Sequence, residues 1–134
     1  MHTAIIFKAF SVWGAILVLA ILNGVLREKI LLPALGSGPG LFLSGVSLAA
    51  MILLLAWLTL PWLGVTQRAG FLYVGIFWLI LTLIFEFSFG MLLQGKSWHS
   101  MLQAYTFSNG NIWPLVLLVT GAAPYIAAKF RGLI

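Results

Sequence analysis

Cysteine and aspartate are both absent from this 134-residue chain, and its charged residues amount to seven Lys or Arg and two Glu. Without cysteine there are no disulfides, thiol nucleophiles, Cys-ligated zinc sites or iron–sulfur clusters. Without aspartate, Glu28 is the one carboxylate that Glu86 could pair with for acid–base work. The two histidines, His2 and His99, fall at the terminus and in a loop, so haem or pigment ligation by His within the membrane has no candidate. Neither a GxxxxGK[ST] phosphate cradle nor an HExxH zinc motif occurs. Charged residues make up 7% of the chain, where soluble domains carry about 25%.

What is present instead is apolar surface. Hydrophobic residues reach 63% and the mean hydropathy is +1.15. Nine charges cannot solvate a globule of this size, so the excess reads as lipid-facing and the lipid bilayer as the chain's solvent. Four spans of about 20 residues would take up about 80 of them. The remainder suffices for ends and loops, and the chain reads as a single transmembrane domain. The net charge of +5 is scattered one or two residues per membrane boundary. That distribution belongs to topology and not to a nucleic-acid face.

The spans are expected at about 4–26, 41–64, 71–94 and 112–128. The first ends in Arg27-Glu28-Lys29. It reads as a retained span; the competing signal-peptide reading lacks a small-residue cleavage site. Residues 30–40 carry Pro33, Gly36, Gly38, Pro39 and Gly40 and are expected to form a helix-breaking loop. Trp57 and Trp62 suit an aromatic belt at the end of the second span. The short polar turn around Arg68 predicts that spans two and three are antiparallel neighbours. Between spans three and four, Trp98, Met101, Leu102 and Tyr105 recur at helical spacing, which predicts a short amphipathic helix lying in the interface. The expected fold is therefore all-α: a membrane-embedded antiparallel four-helix bundle with a short interfacial helix between spans three and four. Four spans place both termini on one side, with Lys8, Arg68, Lys129 and Arg131 against Arg27, Lys29 and Lys96 on the other. That weak bias places the termini in the cytoplasm.

Glu86 is the only acidic residue inside a span. A carboxylate there costs roughly 2.5–3.5 kcal/mol on insertion scales, so it must be paired, protonated or facing a polar cavity. Gly75, Thr82, Glu86 and Gly90 share a helical face of small and polar residues, which is a packing face, and Thr82 could donate to the carboxylate. Asn23 and Arg27, four apart at the same membrane side, are the expected partners. A binding or structural polar cluster of Asn23, Arg27, Thr82 and Glu86 follows, either as interhelical glue or as a functional site. Glu28, Lys29, Lys96, Trp98, His99 and Tyr105 gather at the same end and make it a possible docking end for a partner or small molecule. Ser97 and His99, two apart and without an orienting acid, are no hydrolase signature. Gly45 and Ala49 have small-xxx-small spacing, suited to close packing within the bundle or against another subunit. Gly121 and Pro124 read as packing irregularities in the fourth span rather than as a hinge.

The stretch Asn23-Gly24-Val25-Leu26-Arg27-Glu28-Lys29 with Pro33 and Gly36 carries a resemblance. Trp78-Leu79-Ile80-Leu81-Thr82, Phe85-Glu86-Phe87-Ser88-Phe89-Gly90, Gly95-Lys96-Ser97-Trp98 and Tyr105 carry it further. Together they resemble an uncharacterised group of small bacterial four-helix integral membrane proteins. The resemblance implies a bacterial inner-membrane origin and transfers no activity. The chain differs from the small multidrug pumps, whose membrane Glu lies in the first span, and from fluoride channels of similar length.

No catalytic machinery is evident, and no metal or cofactor is implied. The first functional expectation is an accessory or assembly subunit of a membrane complex, partnered by other membrane subunits or by itself. The alternative is a homo-oligomeric small-solute or ion transporter with Glu86 as the coupling or binding carboxylate, lined by Trp78, Phe85 and Phe89. A lipid-active enzyme ranks third, because it lacks a dyad, a metal constellation or a phosphate cradle.

Overall fold

A computed structural model describes residues 3–93, 95–103 and 112–132. Every regular element among them is helical. Helix α1 spans Thr3–Leu26 and continues through a π-helical turn, Arg27–Leu31, into the short α2, Leu32–Leu35. Helix α3 covers Ser37–Leu63, and α4 covers Arg68–Ser88 with a second π-helical turn at Phe89–Leu93. Then come the six-residue α5, Trp98–Gln103, and α6, Trp113–Phe130. Four helical stretches are long and apolar enough to cross a membrane: Thr3–Leu35, Gly38–Leu63, Arg68–Leu92 and Trp113–Phe130. The chain is a multi-pass membrane protein built as an all-α bundle.

The loop expected at 30–40 is largely helical. The amide of Leu32 donates to the Arg27 carbonyl, a five-residue register that widens the turn just ahead of Pro33 and makes room for its ring. The break falls at Gly36 alone, where φ is +86°, a conformation glycine adopts without a Cβ penalty. Gly38, Pro39 and Gly40 form the first turn of α3. Proline is tolerated there because first-turn amides have no partner within the helix.

The packing order also departs from expectation. Consecutive α3 and α4 run antiparallel but share no extended contact. Helix α6 packs between them, α1 packs on α3, and α1 touches α4 less extensively. The turn from Leu63 to Arg68 reaches at most about 17 Å, so it joins the ends of α3 and α4 without forcing their flanks together. Small residues on α6 make the wedge possible. A Cβ on Gly75 of α4 would overlap the backbone carbonyl of Gly121 on α6, so those two backbones approach as closely as glycine allows. Gly121 and Pro124 thus serve packing, with α6 unbroken through both. Gly45 of α3 lies against Ile112, so its close contact is made inside the chain.

The core is concentrated at the end where the chain begins. Ala9 and Val12 of α1, Ala56, Leu60 and Leu63 of α3, Phe71, Val74 and Trp78 of α4, and Ala123, Ala127 and Ala128 of α6 are all buried. The indole N–H of Trp78 donates to the Ala9 carbonyl at 2.9 Å. At this end Lys8 donates to the Trp62 carbonyl at 3.1 Å and lies over the Trp62 ring. The Arg131 guanidinium sits 4.3 Å over the ring of Trp57. Both cations keep their heads at the boundary while their stems cover apolar surface.

Candidate functional site

Past Trp13 and Thr82 the bundle hollows. Two adjoining cavities of about 340 and 410 Å³ share Ala20, Arg27, Leu48, Glu86, Trp113 and Val116 in their walls. Such volumes fall in the range of small-molecule sites. Helices α1, α3, α4 and α6 all contribute, so the hollow belongs to one chain and needs no second copy to form. The smaller compartment is the more polar of the two, reaching Asn23, Glu28 and Ser44. The larger one runs between α1 and α4, past Ile16, Leu17 and Ile21 on one side and Thr82, Phe85 and Phe89 on the other. The two π-helical turns directly follow the α1 and α4 segments that border this cleft. π-Helical turns recur at functional positions.

Glu86 lines both compartments, so its helical face turns inward. Its expected partners are engaged elsewhere. Asn23, 4% exposed, accepts a short hydrogen bond from the Ser44 hydroxyl through Oδ1 and donates from Nδ2 to Ser47 Oγ at 3.0 Å. The two serines offer one donor and one acceptor, which satisfies both ends of an amide better than a carboxylate could. The Thr82 hydroxyl donates to the Trp78 carbonyl at 2.8 Å and accepts the Trp13 indole N–H at 3.1 Å. Its single proton is therefore not available to Glu86. Arg27 pairs with its neighbour Glu28, Nε to Oε1, at 3.2 Å. Pairing at the boundary leaves both charges partly hydrated and avoids the desolvation that a buried pair would incur.

Among the described residues no side chain donates a hydrogen bond to Glu86, and no cation lies within ion-pair distance of it. Arg27 and Lys96 nevertheless face the same cleft, within electrostatic reach of the carboxylate. Thr82, Asn23 and Arg27 thus surround Glu86 without binding it. The polar cluster is two interhelical ties, α1–α3 through Asn23 and α1–α4 through Thr82, with a carboxylate between them.

The aromatic wall also differs from expectation. Trp78 is wholly buried and lies outside the cavity lining. Trp13 takes its place, edge-on to Phe85 with centroids 6.4 Å apart, while Phe85 stacks on Phe89 at 5.5 Å. Sequence reading missed Trp13 because a tryptophan deep in an apolar span gives no sign of which neighbour its N–H will meet.

Of the possible docking end, Glu28 lines the smaller compartment and Lys96 the larger. Lys29 is exposed beyond them. Trp98 opens α5 and packs on Phe87 with centroids 5.3 Å apart, yet it stays 58% exposed. His99 is exposed on the same helix. Tyr105 lies outside the described residues. Among those described, no three His, Asp or Glu side chains converge on a metal-sized point.

Fold and site together define a multi-pass membrane protein with a carboxylate-lined cavity inside a single four-span unit. Compared with known protein families, curated proteins and solved structures, the chain matches none.

Proposed function

We propose that the protein is a small-solute or ion carrier of a bacterial inner membrane, with both termini cytoplasmic and Glu86 as its binding or coupling carboxylate. One observation carries this reading. A carboxylate at membrane depth, unbridged among the described residues, lines a cavity large enough for a small ligand. Intramembrane carboxylates are costly and mark ion or substrate pathways by default. Interhelical glue would instead place a donor or a cation directly on it, as Asn23 and Thr82 do for their own helix pairs. The cavity lies within one chain, so the reading does not require a homo-oligomer.

The test is flux. Purified protein is reconstituted into vesicles carrying an internal pH-sensitive dye, with imposed proton, Na⁺ or K⁺ gradients. Wild type should dissipate at least one gradient faster than protein-free vesicles, and Glu86→Gln should abolish the difference while keeping the same thermal unfolding. Wild-type rates equal to protein-free ones, or Glu86→Gln rates equal to wild type, would remove the carrier reading.

A second reading, an accessory subunit of a larger membrane complex, draws on α5, whose Trp98 and Leu102 stay exposed at the cavity end. Native mass spectrometry of gently extracted material separates the two. A stoichiometric complex with other membrane proteins favours the subunit, and the chain without protein partners favours the carrier.

A further inference from the structure

The cleft between α1 and α4 is basic at its mouth and mainly apolar below, with Glu86 partway down. At the membrane boundary it is walled by Arg27, which follows the last residue of α1, and Lys96, which follows the end of the α4 span. Below that level come Ile21 and Phe89, then Glu86 beside Leu17 and Phe85, with Trp13 and Thr82 joined at the bottom. Arg27 and Trp13 are fourteen residues apart on one helical stretch, so the cleft descends roughly 21 Å at 1.5 Å per residue. That exceeds the depth of one leaflet's hydrocarbon, about half of a 30 Å core. Ile21 and Phe89, on opposite lips, are 52% and 39% exposed, so the cleft reaches the outer surface of the bundle. Arg27 spends Nε on Glu28, while its terminal nitrogens make no hydrogen bond among the described residues. Lys96 engages its backbone amide with the Gly90 carbonyl and keeps its ammonium at the mouth.

We infer that this cleft binds one anionic phospholipid from the surrounding leaflet, its phosphate held between Arg27 and Lys96 and one acyl chain laid along Leu17, Ile21, Phe85 and Phe89 towards Trp13. Charge complementarity selects the occupant. With Glu28 on the Arg27 Nε, the terminal guanidinium nitrogens and the Lys96 ammonium face an anionic head at phosphate level, basic pockets between spans being a recurrent lipid-binding arrangement. The apolar floor selects a chain over a free anion. Glu86 lies below the phosphate level and against the chain, which disfavours deeper entry of the head. The inference concerns the same cavity as the carrier reading and goes beyond it, because a bound phospholipid is neither the small solute nor the ion.

The experiment is native mass spectrometry of the full chain released from nanodiscs of pure phosphatidylglycerol or pure phosphatidylcholine, with stepwise collisional delipidation. Wild type should retain one phosphatidylglycerol after all phosphatidylcholine has been lost. The double variant Arg27→Gln/Lys96→Gln, checked by circular dichroism for wild-type helicity and unfolding, should lose roughly thirtyfold in apparent affinity for that lipid, the loss expected for two near-surface cations. Ala20→Phe should fill the cleft and weaken retention without touching a charge. Equal retention of both lipids, or full retention of phosphatidylglycerol by the double variant, overturns the inference. Glu86→Gln separates it from the carrier reading. Retention with flux insensitive to Glu86→Gln supports the inference and removes the carrier. No lipid retention with flux still dependent on Glu86 removes the inference and leaves the carrier.

Discussion

At the end of the bundle where the chain begins, Ala9, Ala56, Phe71, Trp78, Ala123 and Ala127 fill the space between the helices. At the other end, Ala20, Ser44 and Glu86 face a hollow. The same four helices build both halves, with apolar stretches of similar character. In lipid, apolar burial supplies little driving force between helices, so association depends on close packing and interhelical hydrogen bonds. The filled half uses the first device: small residues on α6 let its backbone meet α4 at Gly75 and Gly121. The filled half adds the Trp78–Ala9 hydrogen bond to that packing, whereas the hollow half relies on hydrogen bonds: the Asn23–Ser44–Ser47 and Trp13–Thr82 ties hold α1 to its neighbours around a space that packing does not fill. Tight packing therefore dominates one half, and the cavity lined by the carboxylate lies in the other.

The contrast breaks most visibly at Gly75. A Gly75→Ala methyl would land on the Gly121 carbonyl and force α4 from α6, with an expected loss of about 2–3 kcal/mol. Gly14→Ala, which meets nothing within 4 Å, should stay within about 0.5 kcal/mol of wild type. Unfolding in detergent, followed by helical circular dichroism, compares the two. Glu86→Gln should reverse the pattern, abolishing flux in vesicles while shifting stability by less than about 1 kcal/mol, since no hydrogen bond is lost.

Smaller effects sharpen the division. Asn23→Ala strips the buried Ser44 hydroxyl of its acceptor and should cost about 1–2 kcal/mol in the same unfolding measurement. Arg131→Ala removes the cation over Trp57 and should cost about 0.5–1 kcal/mol. Smallest is the coupling between Arg27→Ala and Glu86→Gln in a double-mutant cycle, expected below about 0.5 kcal/mol. A coupling above about 1 kcal/mol would restore a direct interhelical pair and dissolve the distinction between tie and site.

Much of the candidate site was legible in outline. The period of Gly75, Thr82, Glu86 and Gly90 is enough to turn Glu86 inward, because a helix face of small and polar residues seeks protein rather than lipid. Who would bind whom was not legible. Asn23, Arg27 and Thr82 each had a partner closer or better matched than Glu86: two serines across an interface, an adjacent glutamate, and a tryptophan N–H with a carbonyl one turn back. Spacing along one helix says which side chains share a face and nothing about what the facing helix presents.

Composition and run length alone determined that the chain is helical and spans a membrane four times, since a backbone in hydrocarbon must satisfy its own hydrogen bonds and each run is long enough to cross. The lateral order of those spans was decided only in three dimensions. The turn between α3 and α4 ties their ends, but the narrow flank of α6 fits between them, and backbone approach at two glycines outweighs chain adjacency. Past Trp13 and Thr82, α1 and α4 border a cleft, and Glu86 faces it instead of a partner, a juxtaposition that spacing along one helix does not reveal.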